Sequence, residues 1–261
     1  DARTGLFSSM SYQNRALLTR TMGWNTYRAP TDNDQYIDKQ WTAVGYDRPT
    51  VKVYSVEASR GEGGGAVITC RLGVGAVSIA KFLDITAAWT IDARGRIDCT
   101  LHCLRDGRFP YLPRFGVRLF LPQCFGFAEY FGYGPTESYV DKHQAARLGI
   151  YAQTVDSMFE PYLMPQENSS HMGCRSCTVS DGANSLTCCA ELPFSMNISR
   201  YTQEQLKEAR HHYELEPCGD TVLCLDYAMS GVGSNSCGPE LLGKYRLDEQ
   251  AFTFSFTLLP E

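Results

Sequence analysis

Short stretches in which apolar and polar residues alternate constrain the fold more than any other feature of this sequence. The clearest lies between Arg96 and Leu104, where every second residue from Ile97 to Cys103 is apolar. Because successive side chains of a β-strand point to opposite faces of a sheet, this alternation predicts a strand with one buried face. Similar patterns predict seven further strands, at Val67–Leu72, Phe82–Ile91, Arg114–Leu121, Phe125–Phe131, Leu186–Leu192, Val222–Ala228 and Phe252–Leu258.

The segments between these predicted strands contain few signals for helices. Thr202 and Gln205 form a capping-box pattern at Gln203–Arg210, which predicts one helix of about three turns at most. Asp92–Gly95 predicts a hairpin turn with Gly95 at positive φ. No repeat, low-complexity tract or linker divides the chain. We therefore expect an all-β fold, with one large antiparallel domain over residues 1–261 and one short helix, and an alternating (β/α)₈ barrel is excluded.

Composition excludes two classes of partner. Lys plus Arg is 24 and Asp plus Glu is 29, which gives a formal net charge of −5. With no long basic run, this is not the footprint of a nucleic-acid-binding protein. No segment approaches the roughly 18 consecutive apolar residues of a membrane span.

The sequence opens at Asp1 without a leader segment, so we expect it to be excised from a longer multidomain protein.

Eleven cysteines are scattered without a repeating framework, and several lie on the apolar faces of predicted strands. Buried free cysteines behave as small apolar residues. Cys174 and Cys177 have the spacing of half a zinc site or of a redox pair, but there is no second pair with this spacing, and the nearest histidine, His171, lies on the same segment. We expect reduced structural thiols, no metal site and a reducing, cytoplasmic location.

Two glycine-rich segments and one acidic cluster invite comparison with known binding loops. Gly132–Glu137 and Gly231–Ser236 lack the third glycine and the following helix of a dinucleotide-binding loop, so each predicts a turn at a strand end. Asp32–Asp34 follows Pro30. If Asp32 were the first ligand of an EF-hand calcium-binding loop, the loop would require glycine at position 37, where Ile37 stands. The cluster therefore predicts an Asx-rich turn.

Aromatic residues crowd the first fifty positions around this acidic cluster: Trp24, Tyr27, Tyr36, Trp41 and Tyr46. Ring faces beside carboxylates and amides suit a sugar, whose C–H faces stack on rings and whose hydroxyls form hydrogen bonds. The same rings are also what a protein core requires. These residues alone leave two interpretations open, a carbohydrate-facing surface and a buried aromatic core.

Five longer motifs occur in order and extend the match from about Phe7 to about Leu258. They are Tyr27–Asp34 (YRAPTDND), Gly132–Asp141 (GYGPTESYVD), Pro161–Asn168 (PYLMPQEN) with Arg175 soon after, Phe194–Thr202 (FSMNISRYT) and Gly231–Pro239 (GVGSNSCGP). Together they resemble the last domain, of the small-chain type, of the large bacterial β-galactosidases of glycoside hydrolase family two.

The resemblance implies a fold and a context. The fold is an antiparallel β-supersandwich akin to galactose-mutarotase-like domains. In the family this domain follows the catalytic barrel and lends loops to the rim of its active site. The implied function is that of an accessory domain in the retaining hydrolysis of terminal β-galactosides such as lactose.

The resemblance also implies what this chain lacks. Retention requires two carboxyl groups about 5–5.5 Å apart, and in the family both are glutamates of the barrel. The family's magnesium and sodium ions are bound by the barrel as well. We therefore expect no catalytic residue and no cofactor in this chain. Its expected partners are the barrel and other domains of the parent polypeptide, a galactoside substrate and further copies in a homo-oligomer.

The resemblance places a functional edge where Arg28–Asp34 and Ser234–Pro239 face the barrel. Arg28 is suited to bind a carboxylate through two hydrogen bonds, and the residue before Pro30 is held extended, so a stiff backbone aims the acidic cluster. In the alternative, Arg28 pairs with Asp32 and only braces a turn. The candidate site residues are Trp24, Arg28, Asp32, Asn33, Asp34, Trp41, Ser234, Asn235 and Cys237.

Cys237 departs from the family pattern. Some members carry a tryptophan near this position that stacks on the leaving group of the sugar, and a thiol offers no ring face. Either Trp24 or Trp41 supplies the ring, or the platform is absent. The other motif residues are expected to have structural roles: Gly132, Gly134, Pro135, Glu137, Tyr139, Asp141, Glu167, Asn168, Arg175, Asn197 and Arg200.

Two alternatives come from other functional classes. An aldose 1-epimerase would share the mutarotase-like fold and would need a histidine and a carboxylate as acid and base, for which His102, His143 and His171 are candidates. The other alternative is a non-catalytic module that binds sugar or serves assembly.

Overall fold

Twelve antiparallel strands form one continuous sheet that branches at its longest strand. The computed structural model describes residues 1–261. The strands are β1 (Ser11–Tyr12), β2 (Arg15–Ala16), β3 (Gly23–Asn25), β4 (Thr50–Arg60), β5 (Ala66–Ala76), β6 (Ile79–Ile91), β7 (Ile97–Arg105), β8 (Arg114–Pro122), β9 (Phe127–Gly134), β10 (Arg147–Thr154), β11 (Ser170–Ser180), β12 (Ser185–Ser199), β13 (Asp220–Met229) and β14 (Ala251–Pro260). The α-helices are α1 (Ile37–Ala43), α2 (Val155–Met158) and α3 (Gln203–Glu208).

The order of the sheet runs from β10 at one edge through β9, β11, β12, β14, β7, β6 and β5 to β4 at the other. The branch arises because the two ends of β12 have different partners. Residues Leu186–Cys189 pair with β14, whereas Ser195–Ser199 pair with β13. β13 in turn pairs with β8, and β8 with β3. β1 and β2 form a separate small hairpin.

The two branches share one hydrophobic core of 46 buried residues. Phe115 of β8 lies 5.2 Å from Phe252 of β14 between ring centroids, so side chains from the two branches meet directly. Trp24 of β3 also stacks on Phe115, with ring centroids 6.2 Å apart. Most of the apolar faces that the alternation predicted point into this core, because burial of their side chains supplies the main driving force for folding.

The structure confirms the predicted all-β antiparallel architecture, and each of the eight predicted strands overlaps an observed one. Gly95 has a φ of 91°, as the predicted hairpin turn requires. The predicted helix is confirmed at Gln203–Glu208, where the hydroxyl of Thr202 accepts a hydrogen bond from the amide of Gln205 at 3.2 Å. No helix in the chain has the length and apolar character needed to cross a bilayer.

The prediction of a single helix is wrong. α1 was missed because no side chain caps its N-terminus at Tyr36, and only Ile37 and Trp41 turn inward from its seven residues. β11 was missed because bulges interrupt its alternation on either side of Cys174 and Gly173 adopts a φ of 67°. Short or interrupted elements of this kind owe their existence to packing against the rest of the chain.

Candidate functional site

Arg28 fixes the geometry of the predicted edge from within. Its side chain is fully buried, and its Nε and Nη2 atoms donate to the two carboxylate oxygens of Asp34 at 3.0 and 2.8 Å. The same guanidinium donates to the carbonyl oxygens of Ser230 and Gly231, the latter at 2.9 Å. Burial acts to lower the pKa of Arg28, but the Asp34 carboxylate outweighs it and the pKa is raised. Arg28 is therefore charged, and its guanidinium links the turn after Pro30 to the loop after β13.

The alternative pairing of Arg28 with Asp32 is wrong, because the partner is Asp34. Asp34 also accepts hydrogen bonds from the amide and hydroxyl of Thr31, at 3.0 and 3.2 Å, which close a 3-10 turn over Asp32–Asp34. This turn directs the side chain of Asp32 outward, where it is exposed and has no hydrogen-bond partner in the chain. Of the two acidic residues, Asp34 is structural and Asp32 is free.

Hydrogen bonds at their borders bring together the two segments predicted to form an edge, since Val232 lies two residues before Ser234 and Gln35 lies one residue after Asp34. The side-chain amide of Asn33 donates to the carbonyl of Val232 at 2.6 Å, and that of Gln35 donates to the carbonyl of Ser236 at 2.8 Å. The motif residue Asp141 holds the second segment by accepting from the amides of Val232 and Gly233 at 2.9 and 2.8 Å. We call residues 28–36 and 231–240 together the Asp32 edge.

A groove of about 700 Å³ opens beside the Asp32 edge. Tyr36 contributes an exposed phenol ring, with 60 % of the residue accessible, and Cys237 lies exposed in the same groove. A ring face beside guanidinium and carboxylate groups has the chemistry that a sugar requires. The lining residues are Tyr36, Ile37, Gln40, Arg105, Gly107, Phe109, Pro110, Tyr111, Asn235, Cys237, Gly238, Glu240, Arg246 and Asp248.

The two predicted tryptophans do not reach this groove. The indole of Trp24 donates to the carbonyl of Thr4 at 3.0 Å and is buried against Phe115. The indole of Trp41 is fully buried and donates to the carbonyl of Tyr111 at 2.9 Å. The expectation that either ring replaces the stacking tryptophan is therefore wrong, because both belong to the core. Of the rings that line the groove, Tyr36 belongs to the aromatic cluster identified from the sequence, whereas Phe109 and Tyr111 were missed, because only the tertiary structure brings them to the same groove.

Asn235 and Ser234 occupy the predicted loop, but only Asn235 lines the groove. Asn235 adopts a φ of 87°, and its side-chain oxygen accepts from the amide of Leu241 at 3.0 Å. This internal bond shapes the loop that carries Cys237. Ser234 is partly exposed in the same loop.

Glu137 organises the segment that precedes β10. Its carboxylate accepts from the hydroxyl of Tyr162 at 2.5 Å, from Lys142 at 2.7 Å and from the amide of Ser169 at 3.0 Å. Tyr139 lies buried beneath it, and burial raises the pKa of its phenol. These contacts are all internal to the chain.

Glu167 belongs to a buried cluster of charges behind the Asp32 edge. Arg114 reaches Glu167 at 3.1 Å and pairs with Asp226 through Nε at 3.1 Å, and the side-chain amide of Asn25 donates to Asp226 at 2.7 Å. Ser170 donates to the other oxygen of Glu167 at 2.6 Å. Burial raises the pKa of both carboxyls, and the Arg114 guanidinium opposes that shift.

The remaining motif residues fall into buried and exposed groups. The side-chain amide of Asn197 donates to the carbonyl of Asn168 at 2.6 Å and so joins two motifs. Arg200 contacts Asp156 at 3.0 Å and the carbonyl of Gln123 at 2.7 Å. Buried glycines pack tightly, with Gly132 against Cys174 and Gly134 against Tyr151 ahead of Pro135. Arg175 is exposed and has no partner in the chain, so the structure gives it no role.

All eleven cysteines are unpaired. Cys174 and Cys177 are both fully buried on β11, and burial raises the pKa of the Cys174 thiol well above its ordinary value. Cys188 lies directly opposite Cys177 on β12. These thiols pack as small side chains of the core.

His171 is a buried base in this region. Its Nδ1 donates to the carbonyl of Tyr133 at 3.0 Å, and its ring lies 4.4 Å from that of Tyr130. Burial lowers its pKa to about 4, because a charged imidazolium would lose its hydration. The folded chain therefore holds this histidine neutral.

Acid is expected to destabilise the chain through His171. The unfolded chain protonates this histidine below about pH 6.5, whereas the folded chain protonates it only near pH 4. Stability is therefore present above pH 6.5 and is lost as the pH falls, by about 2 kcal/mol at pH 5. Urea unfolding at pH 7 and pH 5 should show this loss, and His171→Asn should reduce it. His102→Asn, which changes an exposed ring, should leave the pH dependence unaltered; an equal loss in His171→Asn would contradict the assignment.

Comparison with known proteins agrees with the motifs. A family model described as the β-galactosidase small chain matches residues 1–258. A β-galactosidase from Actinobacillus pleuropneumoniae is 40% identical over 259 residues, which cover 99% of this chain and 25% of that protein. One from Staphylococcus xylosus is 36% identical over 252 residues, which cover 96% of this chain and 25% of that protein. The chain thus spans about a quarter of the length of these relatives.

A solved aldose epimerase homologue from C. elegans aligns over 100% of this chain and 81% of that chain, with 7% identity and a TM-score of 0.38. A score this low carries no functional argument. The resemblance that the five motifs predict is confirmed by the relatives and by the family model. The chain therefore belongs to the β-galactosidase small chain family.

Proposed function

We propose that this chain is an accessory domain of a β-galactosidase and that the Asp32 edge forms part of the rim of the active site. The observation that carries the proposal is the side chain of Asp32. It is exposed and lacks a partner on a turn that Arg28 and Asp34 hold rigidly from below. A carboxylate held in this way is preorganised for a partner outside the chain.

The chemistry of hydrolysis would then lie elsewhere in the parent polypeptide. Retention of configuration needs a nucleophilic carboxylate and an acid or base opposite it. Glu137 is held by Tyr162 and Lys142, and Glu167 is buried against Arg114. Both glutamates are therefore committed to internal contacts. The chain covers about a quarter of its relatives, so the larger part of such an enzyme is available to supply the pair.

The groove beside the Asp32 edge supports a galactoside as the ligand of the assembled enzyme. Tyr36 presents a ring face, and Arg246 and Asp248 offer hydrogen bonds. This chain would shape the outer part of the sugar site, in the cytoplasm and without a cofactor of its own. We expect the isolated chain to be hydrolytically silent.

A chimeric enzyme tests the proposal. The matching quarter of the Actinobacillus pleuropneumoniae β-galactosidase is replaced by this chain, and hydrolysis of a nitrophenyl galactoside is measured. We expect Asp32→Ala to lower kcat/KM by up to about 100-fold, because misplacing a rim contact by about 1 Å has effects of that size. The stability of the 261-residue chain should change by less than about 0.5 kcal/mol, because the side chain is exposed.

Glu62→Ala is the matched control, because Glu62 is an exposed carboxylate in the turn after the far end of β4. If kcat/KM is normal in both variants, Asp32 does not belong to the rim of the active site. Hydrolysis by the isolated chain would contradict the placement of the catalytic pair in the remainder of the enzyme.

The geometry does not favour an epimerase. His102 contacts the hydroxyl of Thr253 at 3.1 Å, and His143 donates to the carbonyl of Tyr139 at 2.9 Å. His171 is buried on the carbonyl of Tyr133. None of the three forms a hydrogen bond with a carboxylate, so the acid–base pair that this activity requires is not assembled by these candidates.

A further inference from the structure

A second groove, of about 690 Å³, crosses the outer face of the sheet where β5, β6, β7 and β14 lie side by side. None of the residues that line it belongs to the Asp32 edge. Three of its polar side chains lie in one row, since Arg71 is directly opposite Thr86 and Thr86 is directly opposite His102. Opposite residues of an antiparallel pair project from the same face of a sheet. All three side chains therefore point out of the sheet into this groove.

The hydrogen-bond donors of this row are not used within the chain. Arg71 is exposed and pairs with no carboxylate, and the hydroxyl of Thr86 has no hydrogen-bond partner. His102 contacts the hydroxyl of Thr253 through Nδ1 at 3.1 Å. When that hydroxyl donates to Nδ1, the N–H group of the imidazole lies on Nε2 and is free to donate. The row thus presents a guanidinium, a hydroxyl and an imidazole N–H to a ligand.

Positive charge is concentrated at one end of this groove, in a chain whose net charge is −5. The ring of Tyr54 has the ammonium groups of Lys52 and Lys81 within 5.7 and 5.4 Å of its centroid. Of the acidic residues on this face, Asp84 lines the groove and pairs with Lys81 at 2.6 Å. Glu57 is exposed on β4 and does not line the groove. The guanidinium of the row is therefore left without a counter-charge.

We propose that this row binds the phosphate group of a small phosphate monoester. The guanidinium of Arg71 presents two parallel N–H groups to two phosphate oxygens. Thr86 donates from the sheet beneath, and Nε2 of His102 donates from the far side. Neighbouring strands lie about 4.8 Å apart, so the row spans about 10 Å from the strand of Arg71 to that of His102. Two hydrogen bonds of about 2.8 Å and the phosphate between them account for most of this distance.

The shape of the groove selects the class of ligand. Donors that converge from two sides and from below suit the tetrahedral oxygens of a phosphate better than a planar carboxylate. A volume of about 690 Å³ lies in the range of pockets that hold small organic molecules, so the groove has room for the organic part of the monoester beside the row.

Isothermal titration calorimetry of the 261-residue chain, at pH 7 in a phosphate-free buffer of low salt, tests the proposal. The probes are glycerol 3-phosphate and inorganic phosphate. We expect saturable binding of glycerol 3-phosphate, and Arg71→Gln should raise its Kd by at least about 10-fold, because charge-assisted hydrogen bonds are lost. Inorganic phosphate should bind more weakly. Equal binding of the two probes would assign the row to the free ion and overturn the inference of a monoester.

Arg175→Gln is the matched control, because Arg175 is an exposed arginine without a partner on β11 and its replacement changes the net charge by the same amount. It should leave the Kd unchanged. Thr86→Val keeps the branched shape of the side chain, should raise the Kd by at least about fivefold, and decides the matter if Arg71→Gln fails to fold. No saturable binding of either probe, or the same Kd in the row variants as in Arg175→Gln, would overturn the proposal.

Discussion

Replacing Arg114 with methionine is expected to lower the free energy of unfolding by about 3–5 kcal/mol, because it removes the only cation in direct contact with two buried carboxylates. Asp226 and Glu167 both lie within hydrogen-bonding distance of the guanidinium, and all three side chains are almost inaccessible. Methionine matches the length of the arginine stem, so the lost volume is small and the effect reports mainly on charge.

The loss should depend on pH with a defined sign. Burial already raises the pKa of Asp226 and of Glu167, and removing Arg114 takes away the group that opposes this rise. A carboxyl group whose pKa is higher in the folded chain than in the unfolded chain stabilises the fold at low pH. That stability is lost as the pH rises through the folded-state pKa. Urea unfolding should therefore show a larger deficit at pH 7 than at pH 5.

Arg96→Met is the matched control for Arg114→Met. Arg96 pairs with Asp98 at 2.8 Å, but both side chains are about half exposed, and surface pairs of this kind contribute less than about 1 kcal/mol. If the two variants unfold at the same urea concentration, the buried cluster does not stabilise the fold as its geometry indicates.

The second large effect is expected for Gly116→Ala. Gly116 lies in β8 between β3 and β13, opposite Asp226. A β-carbon there would clash with the carbonyl oxygen of Leu225 and lie 2.5 Å from the α-carbon of Asp226. Because these are backbone atoms of a paired strand, the strands must separate or the residue must twist. We expect a loss of at least about 3 kcal/mol in urea unfolding.

Gly238→Ala provides the comparison, since a β-carbon at Gly238 meets nothing within 4 Å. Its stability should stay within about 0.5 kcal/mol of that of the unsubstituted chain. A Gly116→Ala variant as stable as Gly238→Ala would show that β3 and β13 yield around position 116 at little energetic cost.

The strands that the sequence predicts are those with one polar and one apolar face. β10 was missed because its outer face carries Leu148 and Ile150 while Tyr151 faces the core, so apolar residues lie on both sides and the alternation disappears.

The candidate site was predictable in part. The acidic cluster and the second loop were both identified, and hydrogen bonds at the borders of the two segments join them. The sequence does not show whether Asp32 or Asp34 pairs with Arg28, because the two residues differ only in the direction that the 3-10 turn gives their side chains. The sequence left open whether Trp24 and Trp41 lie in the core or at the surface, because composition does not say which rings a fold buries, and the groove around Tyr36 depends on residues more than two hundred positions apart.

The branch at β12 has a consequence for how the chain comes apart. Residues 185–199 supply hydrogen-bond partners to β14 at one end and to β13 at the other, so the two halves of the molecule have a strand in common as well as the core packed between them. Melting of either half exposes main-chain groups of the strand that the other half also needs. Loss of structure should therefore spread through residues 185–199, so the two halves are expected to unfold together rather than in separate steps.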